Sequence, residues 1–129
     1  MEIHRSDIKD EADVKLLVDT FYDWVNVDPL LSTVFNDVAQ INWQHHLPIM
    51  YRFWSSLLLG TMTYKGQPFP KHMPLPIGKE HFERWLELFK LTVDALFRGV
   101  KAEEAKLRAE NIAHMFQYRL AYLKQHNSM

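Results

Sequence analysis

Asn42-Trp-Gln-His-His-Leu-Pro-Ile-Met-Tyr-Arg-Phe-Trp-Ser-Ser-Leu-Leu-Leu-Gly60 is the stretch that decides the fold class. Trp43, His46, Leu47, Met50, Phe53, Trp54, Leu57 and Leu58 recur at three- and four-residue steps, the period of one helix face and not the alternation of a strand. Asn42 suits the N-cap and Gly60 a left-handed stop. Pro48 removes one backbone hydrogen bond near the start.

The same period extends outward in both directions. Asp10 is an N-cap, with acidic residues in the turn behind it, for a helix whose face is Val14, Leu17, Val18, Phe21, Tyr22 and Val25, and Asp28-Pro29 ends it. Leu30, Leu31, Val34 and Phe35 predict one or two further helical turns. Downstream, a third helix is expected from about Lys79 to Arg98, with Phe82, Trp85, Leu86, Phe89, Val93, Leu96 and Phe97 on its face and Gly99 as its end. A fourth is expected from about Lys101 to Lys124, with Ala102, Ala105, Ala109, Ile112, Ala113, Phe116, Leu120 and Leu123 inward. No period-two alternation and no internal repeat occurs, so the class is all-α, short turns pairing neighbouring helices antiparallel. These faces account for the apolar residues and leave no surface stripe to spare.

Between the second and third helices, Gly60 to Gly78 holds four of the six prolines and three of the four glycines. No regular element survives there. Long irregular connections inside a compact domain are uncommon and usually functional, so this Pro-rich loop counts as a signal.

Composition bounds the function. A chain of 129 residues, 47% hydrophobic and 24% charged, is expected to form a single domain over residues 1–129. Folding at that size buries roughly 65–70% of the extended chain's surface, so no disulfide or structural metal is needed. A formal charge of -1 gives no electrostatic footprint for nucleic acid or an anionic membrane. The absence of Cys removes disulfides, thiolate nucleophiles, Cys-ligated zinc and iron–sulfur clusters. The polar N-terminus lacks a signal-peptide core, and no run approaches the roughly 18 apolar residues of a membrane span, so a soluble cytoplasmic protein is expected.

Two surpluses remain: seventeen aromatic residues and seven histidines. His4 and His126 lie near the chain ends and His114 on a helix flank, which reads as surface. Of the adjacent pair His45 and His46, the helical period selects His46 for the inward face, where a buried imidazole bonded to a backbone carbonyl is an equal alternative to a functional one. His72 sits in the Pro-rich loop, where proline restricts the backbone that carries the imidazole. Its position alone favours an ordinary exposed loop histidine.

Spacing tests the metal classes. There is no His-Glu-x-x-His, and no Glu is followed three residues later by His, so zincin and helical di-iron ligand patterns are missing. A metal needing one protein imidazole remains, as when a porphyrin supplies the equatorial ligands. Such a group needs a flat apolar slot with a few placed polar groups. Tyr22 on the first helix and Trp85 on the third can line an apolar cavity while keeping an O–H or N–H donor. A polar diatomic ligand would be their acceptor; the alternative is two core aromatics bonded to backbone. Phe53 and Trp54 read equally as plain core.

Taken together, Phe21-Tyr22, Asp28-Pro29-Leu30-Leu31 through Phe35, Trp43-Gln-His-His46-Leu-Pro, Phe53-Trp54, Leu58-Leu59-Gly60, Tyr64-Lys-Gly-Gln-Pro-Phe69 with His72, His81-Phe82-x-x-Trp85-Leu-x-Leu-Phe89, Arg108-Ala109 and Ile112-Ala113 resemble the truncated haemoglobins, specifically their third group. The resemblance spans nearly the whole chain, and the glycine pairs that mark the other two groups are absent. It implies a globin-like two-over-two helical sandwich around haem b, with the Pro-rich loop delivering His72 as the proximal iron ligand. It makes Tyr22 the distal hydroxyl donor and Trp85 the indole donor. It puts His46 at the distal-histidine position and Phe35 against the porphyrin, while register places Met50, Phe53, Trp54, Leu75 and Phe82 along the slot. The function so implied is reversible binding of dioxygen, nitric oxide or other diatomic ligands, with oxygen transport as one use and a reductase as electron donor. An enzyme for nitric oxide dioxygenation or peroxidase-like chemistry would use the same donors and would show turnover. A cofactor-free helical interaction module would use neither pocket nor histidine and would be colourless.

Overall fold

The computed structural model describes residues 5–61 and 78–127, the side chains at 38 and 123–127 excepted. The elements are α1 (Glu11–Val27), α2 (Pro29–Ser32), a π-helical turn (Thr33–Val38), α3 (Trp43–Leu59), α4 (Lys79–Leu96) and α5 (Val100–Asn127). No strand occurs among the described residues, and no described helix is long and apolar enough to cross a membrane.

The starts are marked by side chains that satisfy first-turn amides. The Asp10 carboxylate accepts from Asp13 N–H at 3.0 Å, and the Asn42 side chain from His45 N–H at 3.3 Å, both at the expected N-caps. Gly60 closes α3 with φ 70°, a conformation that costs glycine no Cβ clash. Pro48 is held inside α3.

Several boundaries differ from the expected ones, and α5 runs from Val100 to Asn127, past the expected Lys124. The third long helix stops at Leu96, before Arg98, because Phe97 is extended and the Arg98 N–H bonds the Ser6 carbonyl at 3.0 Å instead of a helical one. Gly99 then turns with φ 145°, packed so tightly on the Asp7 carboxylate that a Cβ would lie 2.5 Å from it. That carboxylate caps α5, taking the Lys101 and Ala102 N–H groups at 2.9 Å each. The apolar turn after Pro29 begins as α-helix and loosens into a π-turn, Ala39 N–H reaching back to the Val34 carbonyl at 2.8 Å.

The helices form two layers, α1 against α3 and α4 against α5, meeting where α1 crosses α4 and where α3 touches α5. This is the two-over-two sandwich. All six residues on the α1 face are buried, as are Ala102, Ala105, Ala109, Ala113, Phe116 and Leu120 on α5. On α3, by contrast, only Trp54, Ser55 and Leu58 are fully buried. The buried apolar residues fall into two clusters: a large one on α1, α3, α4 and the start of α5, and a small one of Val34, Phe82, Ala113, Phe116 and Leu120. Trp85, Leu86 and Ile112 pack against both.

One expectation fails outright. Leu107, Met115 and Tyr118 are exposed on the outward side of α5, so the inward faces do not use all the large apolar residues.

Asp28 is the one buried carboxylate among the described residues. It closes α1, caps α2 through Leu31 N–H at 3.0 Å, and takes the Arg84 Nε of α4 at 2.7 Å. Burial opposes its ionisation, but the Leu31 N–H and the Arg84 guanidinium outweigh that and hold the carboxyl below its ordinary range. A carboxyl depressed in the folded state stabilises above its unfolded pKa of about 3.9 and stops doing so as pH falls through the lower folded value. Asp28→Asn, which keeps a capping side chain but loses the charge, is therefore expected to lower stability by about 1–2 kcal/mol at neutral pH. In urea unfolding the gap to the unmodified chain should shrink below about pH 4; a gap that is constant with pH refutes the ionic role.

Candidate functional site

Between the two apolar clusters lies a cavity enclosing about 780 Å³ of empty space, its open mouth included. Each long helix supplies part of its wall. From α1 comes Tyr22, from the α2 and π-turns Leu31, Val34 and Phe35, from α3 Met50, Phe53 and Trp54, from α4 His81, Phe82 and Trp85, and from α5 Ile112, Ala113 and Phe116.

Of the residues singled out in the sequence, the structure therefore brings Tyr22, Phe35, Met50, Phe53, Trp54, Phe82 and Trp85 to one cavity. His46 stands one layer behind, its ring 5.5 Å from that of Tyr22 and 5.7 Å from that of Trp43, edge to face with both. Its Nε2 is enclosed, while His45 and His114 are exposed. His72, Leu75 and the Pro-rich segment lie outside the described residues. Among the described residues, no three His, Asp or Glu side chains converge on a metal position.

The wall is apolar except for Tyr22, Trp85 and His81. Tyr22 is buried, and desolvation alone pushes its phenol well above the ordinary range, so it stays a neutral O–H donor. Neither its hydroxyl nor the Trp85 indole N–H bonds to any described residue. Two polar donors that share one apolar cavity and have no acceptor among the described residues mark a site shaped to receive an acceptor from a bound group.

Tyr22 is held by its neighbours' rings. Phe21 lies 4.9 Å away, Trp43 5.2 Å and Phe35 6.1 Å, with Phe35 stacked on Trp43 at 5.9 Å. A chain of amides fixes Trp43 in turn: its Nε1–H donates to Asn36 Oδ1 at 2.8 Å, Asn36 Nδ2 to Asn26 Oδ1 at 2.8 Å, and Asn26 Nδ2 to the Tyr22 carbonyl at 2.9 Å. The π-turn has a use here, since it carries Phe35 to the cavity and Asn36 to the rim. The helical period puts Trp43 on the inward face, but nothing in the sequence links it to two asparagines.

His81 is the wall residue that periodicity did not select. The available signal was its spacing: Gly78 is the N-cap of α4 and His81 the third residue, the place from which a side chain reaches back to the cap. Its Nδ1 accepts the Gly78 N–H at 2.9 Å.

Comparison with known proteins agrees with this fold. The Bacterial-like globin family matches residues 7–120. A curated relative, a group 3 truncated hemoglobin of Campylobacter jejuni subsp. jejuni, is 32% identical over 111 residues, which cover 83% of this chain and 87% of the relative. The crystal structure of a group III truncated hemoglobin from Campylobacter jejuni superposes with a TM-score of 0.81 at 30% identity, covering 91% of this chain and 95% of that one.

A hydroxyl desolvated without an acceptor contributes nothing to folding, so Tyr22→Phe is expected to leave the stability of the ligand-free protein unchanged or raise it by up to about 1 kcal/mol. Asn36→Ala, which breaks two links of the amide chain, should lower it by about 1 kcal/mol. Urea unfolding distinguishes them, and a Tyr22→Phe protein less stable than the Asn36→Ala protein contradicts this account of the site.

Proposed function

Because the chain belongs to the bacterial-like globins, and within them to the third group of truncated hemoglobins, we propose that it holds haem b in the cavity between its two core clusters and reversibly binds dioxygen, nitric oxide or similar diatomic ligands there. Haem-based ligand binding is what the family implies. The single observation that carries the finer reading is the pair of cavity donors, Tyr22 O–H and Trp85 N–H, with no acceptor among the described residues.

The residues present suit the group. Phe35, Met50, Phe53, Trp54 and Phe82 offer an apolar wall to a flat macrocycle, and covering them removes apolar surface from water at about 25 cal/mol per Å². His72 would hold the iron. The group, when bound, supplies the metal centre at which a diatomic ligand binds.

The distal work belongs to the chain. Tyr22 and Trp85 come from opposite layers and donate into one apolar space, where a hydrogen bond to a polar ligand is stronger than in water. The raised phenol keeps the Tyr22 proton in place across the physiological range, so donation does not depend on pH. His46 limits the movement of the Tyr22 ring by packing on its edge. The aromatic wall excludes water that would compete for both donors. A reductase would keep the iron ferrous.

The purified protein is expected to be red with an absorbance band near about 400 nm, and His72→Ala to lose it. Each distal donor is worth about 1 kcal/mol or more, so Tyr22→Phe should speed dioxygen release about fivefold or more. Trp85→Phe should add to that or partly offset it, because donors that share one ligand need not act additively. A colourless protein refutes the haem reading, and unchanged release rates in both variants refute the distal assignment.

A further inference from the structure

We propose that His81 is a carboxylate-binding residue at the cavity rim, which holds a haem in place by donating its Nε2–H to one of the acidic side chains on the porphyrin edge. The inference deepens the proposed function and rests on it.

His81 opens α4 as its third residue and forms part of the cavity wall beside Phe82. Its side chain is 16% exposed, which puts it at the boundary between the apolar slot and water. The Gly78 N–H donates to its Nδ1 at 2.9 Å. A ring nitrogen that accepts a hydrogen bond carries no proton, so the neutral imidazole carries its proton on Nε2.

That assignment decides what the residue can do. To bind iron, Nε2 would need its lone pair and Nδ1 would need the proton, and the Gly78 N–H would then face another N–H. The cap on α4 would be lost. His81 is thus set as a donor and not as a metal ligand. Nε2–H finds no acceptor among the described residues, since the other polar groups of the wall, Tyr22 and Trp85, are themselves placed as donors.

The occupant must then supply the acceptor. A haem is an apolar disc that carries two carboxylates on one edge. The apolar wall takes the disc, and the carboxylates go where water and a donor are both at hand. Among the described residues no Lys or Arg lines the cavity, so His81 is the wall group suited to that charge. The amide end of α4 favours an anion in the same direction. Glu80 is the opposing charge, with Oε1 3.5 Å from Nδ1, but it lies on the far edge of the ring and is 66% exposed.

The test compares release of haem with release of haem dimethyl ester, whose carboxylates are capped, from the unmodified chain, His81→Leu and His81→Gln, followed by absorbance as each group transfers to excess apomyoglobin. His81→Leu is expected to lose haem about tenfold faster than the unmodified chain, as for a lost charge-assisted hydrogen bond. His81→Gln, which retains an N–H at nearly the same place, should lose it more slowly than His81→Leu. With the dimethyl ester, His81→Leu and the unmodified chain should match. Equal haem release from both chains overturns the proposal. So does a difference that persists undiminished with the ester, since that would reflect only the loss of the α4 cap. An unmodified chain that takes up neither group refutes the proposed function instead.

Discussion

Phe21 and Phe89 meet edge to face with 5.2 Å between ring centroids, both fully buried, where α1 crosses α4, and the two layers of the molecule are joined at that contact. Phe89 is at the same time stacked with Trp54 of α3 at 4.7 Å and with Trp85 one turn back at 5.7 Å. Three helices therefore share one aromatic column. Such contacts add about 0.5–1.5 kcal/mol each beyond the area they bury, and they fix ring orientation, which aliphatic packing does not.

Trp85 belongs to this column and to the cavity together. Packing on Phe89 and Phe21 holds the indole while its N–H edge has no acceptor among the described residues. Tyr22 is placed in the same way, next to Phe21 on α1 and between Trp43 and His46. The donors of the site are thus extensions of the core, so a substitution at Phe21 or Phe89 would disturb donor geometry as well as stability. The alanine ladder on α5, Ala102, Ala105 and Ala109, belongs to the large cluster; from Ile112 the same helix walls the cavity. Small side chains close the layers at one end, and larger ones hold them around a space at the other.

Legibility followed the range of the interaction. The α1 face is legible residue for residue, because a face that packs wholly against protein obeys its period. The α3 face is equally legible, yet Met50 and Phe53 are only half-buried, since periodicity gives the direction of a side chain and not what stands opposite it. The π-turn escaped because it depends on one bond register, Ala39 to Val34, that no composition rule anticipates. His81 escaped because its position follows from capping chemistry, a signal that apolar spacing ignores.

Caps, helix period and turn residues act within a few positions along the chain, and the sequence by itself determined everything that rests on them: five helical segments, their inward faces, the stops at Asp28 and Gly60, and the choice of His46 over His45. It also carried the family likeness, spread over enough short motifs to be specific. Tertiary structure alone decided that the faces enclose a cavity and do not close on one another, that Asp28 finds Arg84, that an asparagine chain ties Trp43 to Tyr22, and that His81 stands in the wall. Each of these depends on a distance between residues far apart in sequence, and such distances are set by how whole helices pack.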